Sequence, residues 1–209
     1  MSMKGYYRRA KFALSAAAVK QFPSQSAFEA AFVGRSNAGK SSALNTLCGQ
    51  RSLARTSKTP GRTQLVNYFQ LDDERYLVDL PGYGFAKVAI SVRDEWHRLM
   101  EAYFSESSGL VGLVVVMDIR HPLKEYDWQM LEWCAHYDLQ AHVLLTKSDK
   151  LKRGAAKNSL LAVRKALKDE GLSDVSVQSF SALKNDGVDE LEAVLNRWYG
   201  LDSTEDDAS

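Results

Sequence analysis

The chain lacks most of the features that would settle its class at a glance. Cysteine is nearly absent, with only Cys48 and Cys134 among 209 residues. No metal-ligand spacing accompanies them, which suits a reducing compartment and leaves both as expected small core residues. No apolar run approaches the roughly 18 residues needed to cross a bilayer. The longest, residues 110–117, is broken only by Gly112 and reads as a buried central strand. Internal repeats are absent. Histidine is scarce: His97, His136 and His142 read as helix-face or strand-end residues, and His121, after Asp118-Ile119-Arg120, is given no catalytic role. Trp96, Trp128, Trp133 and Trp198 fall on helical patterns as packing anchors. Net charge is also small, at +1. The length fits one domain with a full core better than two.

What is present is specific. Gly34-Arg35-Ser36-Asn37-Ala38-Gly39-Lys40-Ser41 is a complete Gly-x-x-x-x-Gly-Lys-Ser phosphate loop, placed directly after the apolar Ala30-Ala31-Phe32-Val33. Wrapping backbone N–H groups around a polyphosphate requires residues without Cβ obstruction at Gly34 and Gly39. A helix beginning at the loop turns its positive dipole end toward the phosphates. Lys40 is expected to reach the β- and γ-phosphates, and the Ser41 hydroxyl to coordinate Mg²⁺.

The base is predicted by Thr146-Lys147-Ser148-Asp149, which ends the apolar run His142-Val143-Leu144-Leu145. Guanine offers N1–H and N2–H₂ side by side, so the Asp149 carboxylate can accept both, whereas adenine presents a lone pair there. At about 1.5–3 kcal/mol per charge-assisted bond, two bonds discriminate by roughly a hundredfold to ten-thousandfold. Two further pieces complete the pattern. Asp79-Leu80-Pro81-Gly82 follows a short strand, with Asp79 expected on Mg²⁺ through a water and the Gly82 N–H on the γ-phosphate. Ser181-Ala182-Leu183, after an alternating strand near 175–179, is expected to contact the guanine carbonyl through its backbone, and Phe180, Ser181 and Ala182 are counted among the nucleotide contacts.

With Lys58-Thr59-Pro60-Gly61-Arg62-Thr63-Gln64 and Asp79-Leu80-Pro81-Gly82-Tyr83-Gly84 added to the phosphate loop, residues 5–200 resemble the EngB (YihA/YsxC) family of bacterial GTPases. The resemblance implies a monomeric GTP/GDP-binding switch with Mg²⁺ that assists assembly of the large ribosomal subunit through that subunit or its rRNA precursor. It also implies a link to cell division and septation, with no DNA or membrane partner. An alternative is an RNA-binding assembly module in which hydrolysis is incidental. The family pattern adds Gly61, Arg62 and Thr63 to the nucleotide contacts and selects Thr63 as the switch ligand of Mg²⁺. Spacing from the phosphate loop favours Thr59 instead.

Strands are predicted near 29–33, 64–70, 75–79, 110–117, 141–146 and 175–179, and helices near 40–48, 91–105, 124–137, 155–169 and 188–199. This alternation predicts an α/β, Ras-like P-loop GTPase fold: a six-stranded, mostly parallel sheet with one antiparallel edge strand and helices on both faces. The 64–70 and 75–79 pair, joined without a helix, is expected to form the edge hairpin. Residues 1–22 read as a basic N-terminal arm, 23–200 as the nucleotide-binding domain and 201–209 as an acidic disordered tail. Arg8, Arg9 and Lys11 before Phe12-Ala13-Leu14-Ser15-Ala16-Ala17-Ala18-Val19 superficially imitate a secretory leader. The run is Ala-rich and stops at Lys20, so a cytoplasmic location is expected.

The small net charge hides an asymmetry. Through Arg62 there are eleven Lys or Arg against one acid, Glu29, so the first 62 residues carry +10 and the remainder −9. The basic arm and the stretch Arg51 to Lys58 suit a salt-dependent RNA phosphate contact or a solvated face. Tyr6 and Tyr7 offer rings for base stacking. Where Ras-like enzymes often carry a water-orienting Gln after the Asp-x-x-Gly glycine, this chain has Tyr83, so slow intrinsic turnover is expected. Lys40, Thr63, Gly82 and Asn37 are the catalytic candidates. By family resemblance Asn37 helps bind K⁺ beside the developing charge; the other reading is that it only stabilises the loop.

Overall fold

The computed structural model describes residues 5–23, 28–54, 64–84 and 89–202. In chain order these form β1 (Lys11–Ala16), β2 (Phe28–Gly34), α1 (Lys40–Leu47), β3 (Val66–Gln70), β4 (Arg75–Asp79), α2 (Ile90–Glu106) and β5 (Leu110–Asp118). There follow α3 (Glu125–His136), β6 (Gln140–Thr146), α4 (Arg153–Asp169), β7 (Ser176–Ser179) and α5 (Val188–Trp198).

One sheet runs β1-β3-β4-β2-β5-β6-β7. β2, β4, β5, β6 and β7 are parallel, while β3 runs antiparallel to β4 and β1 antiparallel to β3. The central strands are apolar on both sides because helices cover both faces. Ala31 and Val33 of β2 join Leu113, Val115 and Met117 of β5 in a core closed by α2, α3 and α4. Alternate residues Ala30, Phe32, Val114 and Val116 enter a second core closed by α1 and α5. The period-2 geometry of a strand divides one apolar run between two cores. At Gly112 the ring of Trp198 lies so close that a Cβ would sit 2.6 Å from it.

The Ras-like α/β fold stands, with one correction to the strand count. Among the described residues the sheet has seven strands, and the β3–β4 hairpin is not at its edge. β1 covers β3, with a bulge between Phe12 and Leu14 and the Ser15 hydroxyl donating to Asn67 Oδ1 at 2.6 Å. Its sequence carries little strand signal because only Ala16 is fully buried; main-chain pairing with an otherwise open edge makes it a strand.

A short 3-10 turn, Tyr6–Arg9, precedes it. Its tyrosines are not free for base stacking. Tyr7 is buried and donates to Asn196 Oδ1 at 2.7 Å, and Tyr6 donates to Asp72 Oδ2 at 2.5 Å. Cys48 and Cys134 are both free and buried, and burial pushes each thiol up to about 12.

Candidate functional site

The parallel strands end on one side of the sheet, and the loops there bring the predicted motifs together. β2 ends at Gly34, and the chain turns through residues 35–39 into α1. A Cβ on Gly34 would lie 2.6 Å from the Val116 carbonyl oxygen of neighbouring β5, so a side chain is excluded by close backbone approach. Asn37 and Gly39 both take left-handed φ, 63° and 100°. The turn is closed by the Ala38 N–H donating to the Arg35 carbonyl at 2.9 Å, and α1 begins with the Ala43 N–H on the Gly39 carbonyl at 2.9 Å.

β4 lies beside β2 with Asp79 opposite Phe32. The ladder continues past the strands: the Leu80 N–H donates to the Phe32 carbonyl at 2.9 Å and the Tyr83 N–H to Gly34 at 3.3 Å, while the Ser36 N–H donates to Tyr83 at 2.8 Å. The Asp79–Gly82 turn is thereby fixed against the phosphate loop. Lys40 Nζ pairs with the buried Asp79 carboxylate. Ser41, in the first turn of α1, is also buried. A hydroxyl and a carboxylate are the oxygen donors that Mg²⁺ takes when phosphates and waters supply the remaining positions, so Ser41 and Asp79 fit that ion. Among the described residues no group of three or more His, Cys, Asp or Glu offers a competing metal site.

Tyr83 occupies the position after Gly82 with its main chain on the phosphate loop and its side chain on α3. Its hydroxyl donates to Asp127 Oδ1 at 2.5 Å, and the other Asp127 oxygen accepts the Lys124 N–H at 2.8 Å, capping α3. Burial raises the Asp127 carboxyl above its ordinary value, against the opposing pull of the Tyr83 bond. Trp96 Nε1 donates to the Pro81 carbonyl at 2.9 Å and steadies the same turn from α2.

The 146–149 segment grips the phosphate loop from the other side. The buried Thr146 hydroxyl is bound to the Ala38 carbonyl and lies 3.1 Å from that of Met117. Lys147 adopts φ 59° and extends Nζ to the Asn37 carbonyl at 2.6 Å and to Asp118 Oδ2 at 3.0 Å. Asp118 also receives Arg120; hydrogen bonds from Arg120, then from Lys147, hold its carboxyl well below the usual carboxylate range. Ser181 Oγ donates to Asp149 Oδ1 at 2.7 Å, the main cause of that carboxyl's lowered pKa. Phe180 is buried; its N–H donates to Leu145 at 2.8 Å and its carbonyl accepts the Ser148 N–H at 3.1 Å. Ala182, partly buried, follows.

The structure thus gathers residues 34–41, 79–82, 146–149 and 180–182, while Gly61, Arg62, Thr63 and the alternative Thr59 lie outside the described residues. Asn37 engages through its carbonyl and keeps an exposed side chain. Two participants were not among the sequence candidates. Asp118 was legible in principle, as the polar residue ending the longest apolar strand beside both β2 and β6. Asp127 was not, because its partner is 44 residues away in sequence.

Residues 29–147 match the family model described as 50S ribosome-binding GTPase. Among solved structures, a probable GTP-binding protein engB is 19% identical with TM-score 0.60, over 81% of this chain and 97% of that one. Era, in a complex with MgGDPNP and part of 16S ribosomal RNA, is 22% identical with TM-score 0.60, over 83% of this chain and 57% of that one. A bacterial selenocysteine-specific elongation factor is 18% identical with TM-score 0.60, and the match spans only 30% of its length. At these identities the likeness is one of fold. Among the described residues no helix is long and apolar enough to cross a membrane.

Proposed function

The chain belongs to the 50S ribosome-binding GTPase family, and from that premise we propose that it is a slowly hydrolysing GTP switch assisting assembly of the large ribosomal subunit in the cytoplasm. The observation that carries the residue roles is the grip of Thr146 and Lys147 on the carbonyls of Ala38 and Asn37. Through it, one rigid unit offers both a phosphate cradle and a base-reading carboxylate. In this reading residues 34–41 surround the phosphates, with Lys40 as the cation. Gly82 donates its N–H to the γ-phosphate, and Asp149 with residues 180–182 reads guanine. Mg²⁺, held by Ser41, Asp79 and the switch residue Thr63, offsets phosphate charge when bound.

Slow turnover fits Tyr83, which has no amide to orient a water and whose hydroxyl is already engaged by Asp127. Gly61, Arg62 and Thr63 serve as the switch that responds to GTP. The potassium role of Asn37 rests on the exposed side chain beside the loop, and a faster rate in KCl than in NaCl is its signature. A ribosomal partner is supported by exposed Arg8, Arg9, Lys11 and Arg51. Gln50 Nε2 ties the two basic stretches together by donating to the carbonyls of Arg8 at 3.2 Å and Ala10 at 2.8 Å. A monomer with a role in normal septation completes the proposal.

Two measurements test it. Asp149→Asn is expected to weaken GTP binding by roughly a hundredfold or more and to favour xanthosine nucleotides, since two charge-assisted bonds are exchanged; unchanged GTP affinity removes Asp149 as the guanine reader. Co-sedimentation with separated ribosomal subunits should show large-subunit binding with a non-hydrolysable GTP analogue and release with GDP. Binding indifferent to nucleotide favours the assembly-module reading instead.

A further inference from the structure

Beside the Gly82 turn is a cavity of about 670 Å³ that the nucleotide reading does not use. Its volume is within the roughly 300–1,000 Å³ of sites for nucleotide-sized ligands. The buried rings of Tyr83 and Trp96 back its wall, and Tyr126, partly buried and stacked on Tyr83 at 5.7 Å, is the ring within reach of a ligand. Arg35, Arg93 and Lys124 are exposed around it, and among the described residues none of the three has an ion-pair partner within 4.0 Å. Among the described residues, Glu125 is the one acid in the lining. Gln64 also lines the cavity, and among the described residues its Oε1 is buried without a hydrogen-bond partner.

An accessible aromatic ring, cations without an ion-pair partner among the described residues and an orphaned acceptor form the recognition set for a nucleobase on a phosphate backbone. We propose that this cavity receives an amino-bearing base from a single-stranded RNA segment, with Arg93 and Lys124 on flanking phosphates and Gln64 Oε1 accepting from the exocyclic amine. An acidic peptide would satisfy the cations, and its main-chain N–H groups would suit the Gln64 oxygen, but it would leave the Tyr126 ring without a stacking partner. The site shares Gly82 and Arg35 with the proposed nucleotide site, so its shape follows whatever occupies the γ-phosphate position. The proposal rests on the switch reading above and adds where, and by what chemistry, the switch touches RNA.

The test is fluorescence anisotropy of labelled octaadenylate and octauridylate with the full chain, in GDP and in a non-hydrolysable GTP analogue, across a salt series. Octaadenylate is expected to bind more tightly than octauridylate, and Gln64→Leu to erase that preference. Tyr126→Ala should weaken octaadenylate binding by about 5- to 150-fold, the range for one stacked base, while Tyr126→Phe retains it. Arg93→Ala with Lys124→Ala, both on the surface, should reduce the slope of log affinity against log salt by roughly 1.4, about 0.7 per single-strand phosphate contact. Octaadenylate affinity indifferent to these substitutions overturns the proposal. So does displacement of the RNA by hexaglutamate at matched charge, which identifies an acidic-peptide site. Guanine-nucleotide affinity measured on the same variants separates the two readings: intact nucleotide binding with unaltered RNA binding defeats only the cavity. Failure of the unsubstituted chain to bind large subunits in a GTP-dependent way defeats the switch.

Discussion

Replacing Tyr83 with Phe removes one oxygen from the link between the phosphate loop and α3, and the structure sets the size of the effect. The lost bond is a buried 2.5 Å donation to Asp127, whose side chain is almost fully enclosed. The Lys124 N–H bond to the other carboxylate oxygen survives. A hydrogen bond to a charged acceptor contributes about 1.5–3 kcal/mol, and here the acceptor is left buried without a replacement. For a domain of this size that lowers Tm by roughly 3–12 °C. The penalty should depend on pH. Asp127 has a folded pKa above its ordinary 3.8 because of burial, so its favourable contribution is present below 3.8 and is lost as pH rises through the folded value. The Tyr83 hydroxyl opposes that rise, and removing it raises the folded pKa further. The Tyr83→Phe variant should therefore lose stability more steeply than the parent above about pH 4, and the gap should narrow toward about 0.5–1.5 kcal/mol once the carboxyl is protonated in both states. Urea melts of both proteins between pH 3.5 and pH 8, with thermal melts at neutral pH, provide the comparison. A Tm within a degree of the parent at neutral pH, or a penalty independent of pH, refutes the reasoning.

His142 is buried between Ser176 Oγ at 2.7 Å and Gln178 Oε1 at 3.0 Å, and burial pulls its pKa down from 6.5 to about 4. A depressed folded value means stability present above pH 6.5 and lost as pH falls toward 4, on the order of 3 kcal/mol at about 1.4 kcal/mol per unit. His142→Gln should flatten that acid limb in denaturant titrations; superimposable pH profiles would exclude His142 as its source. Gly112→Ala places a Cβ 2.6 Å from the Trp198 ring, an overpacking of about 1–3 kcal/mol. Thermal melts should show a loss that Trp198→Leu largely restores in the double variant, and a loss unaffected by Trp198→Leu would locate the strain elsewhere.

The apolar runs 110–117 and 141–146 with their flanking turns made the central parallel strands legible, and the Gly-rich loop after residues 30–33 made the strand–loop–helix junction legible. In both cases the chemistry is local: residues adjacent in sequence cooperate on one turn of backbone. β1 was not legible. Residues 11–16 are Ala-rich and mostly exposed, so no periodicity marks them; their conformation is fixed by hydrogen bonds to β3, some fifty residues later.

The sequence by itself determined the phosphate loop, the base-reading tetrapeptide and the order in which they occur, because each motif is a contiguous backbone shape with its own side chains. Only the tertiary structure decided how they are coupled. It set Thr146 and Lys147 on the loop's carbonyls, placed Asp118 under Lys147, and joined Tyr83 to Asp127. It also enclosed Glu29 with the hydroxyls of Tyr103 at 2.7 Å and Ser107 at 2.8 Å, where burial raises its carboxyl pKa. A polar group's partner across the sheet depends on which strands lie adjacent and in what register, and that choice is made by the packing of the whole chain rather than by any segment of it.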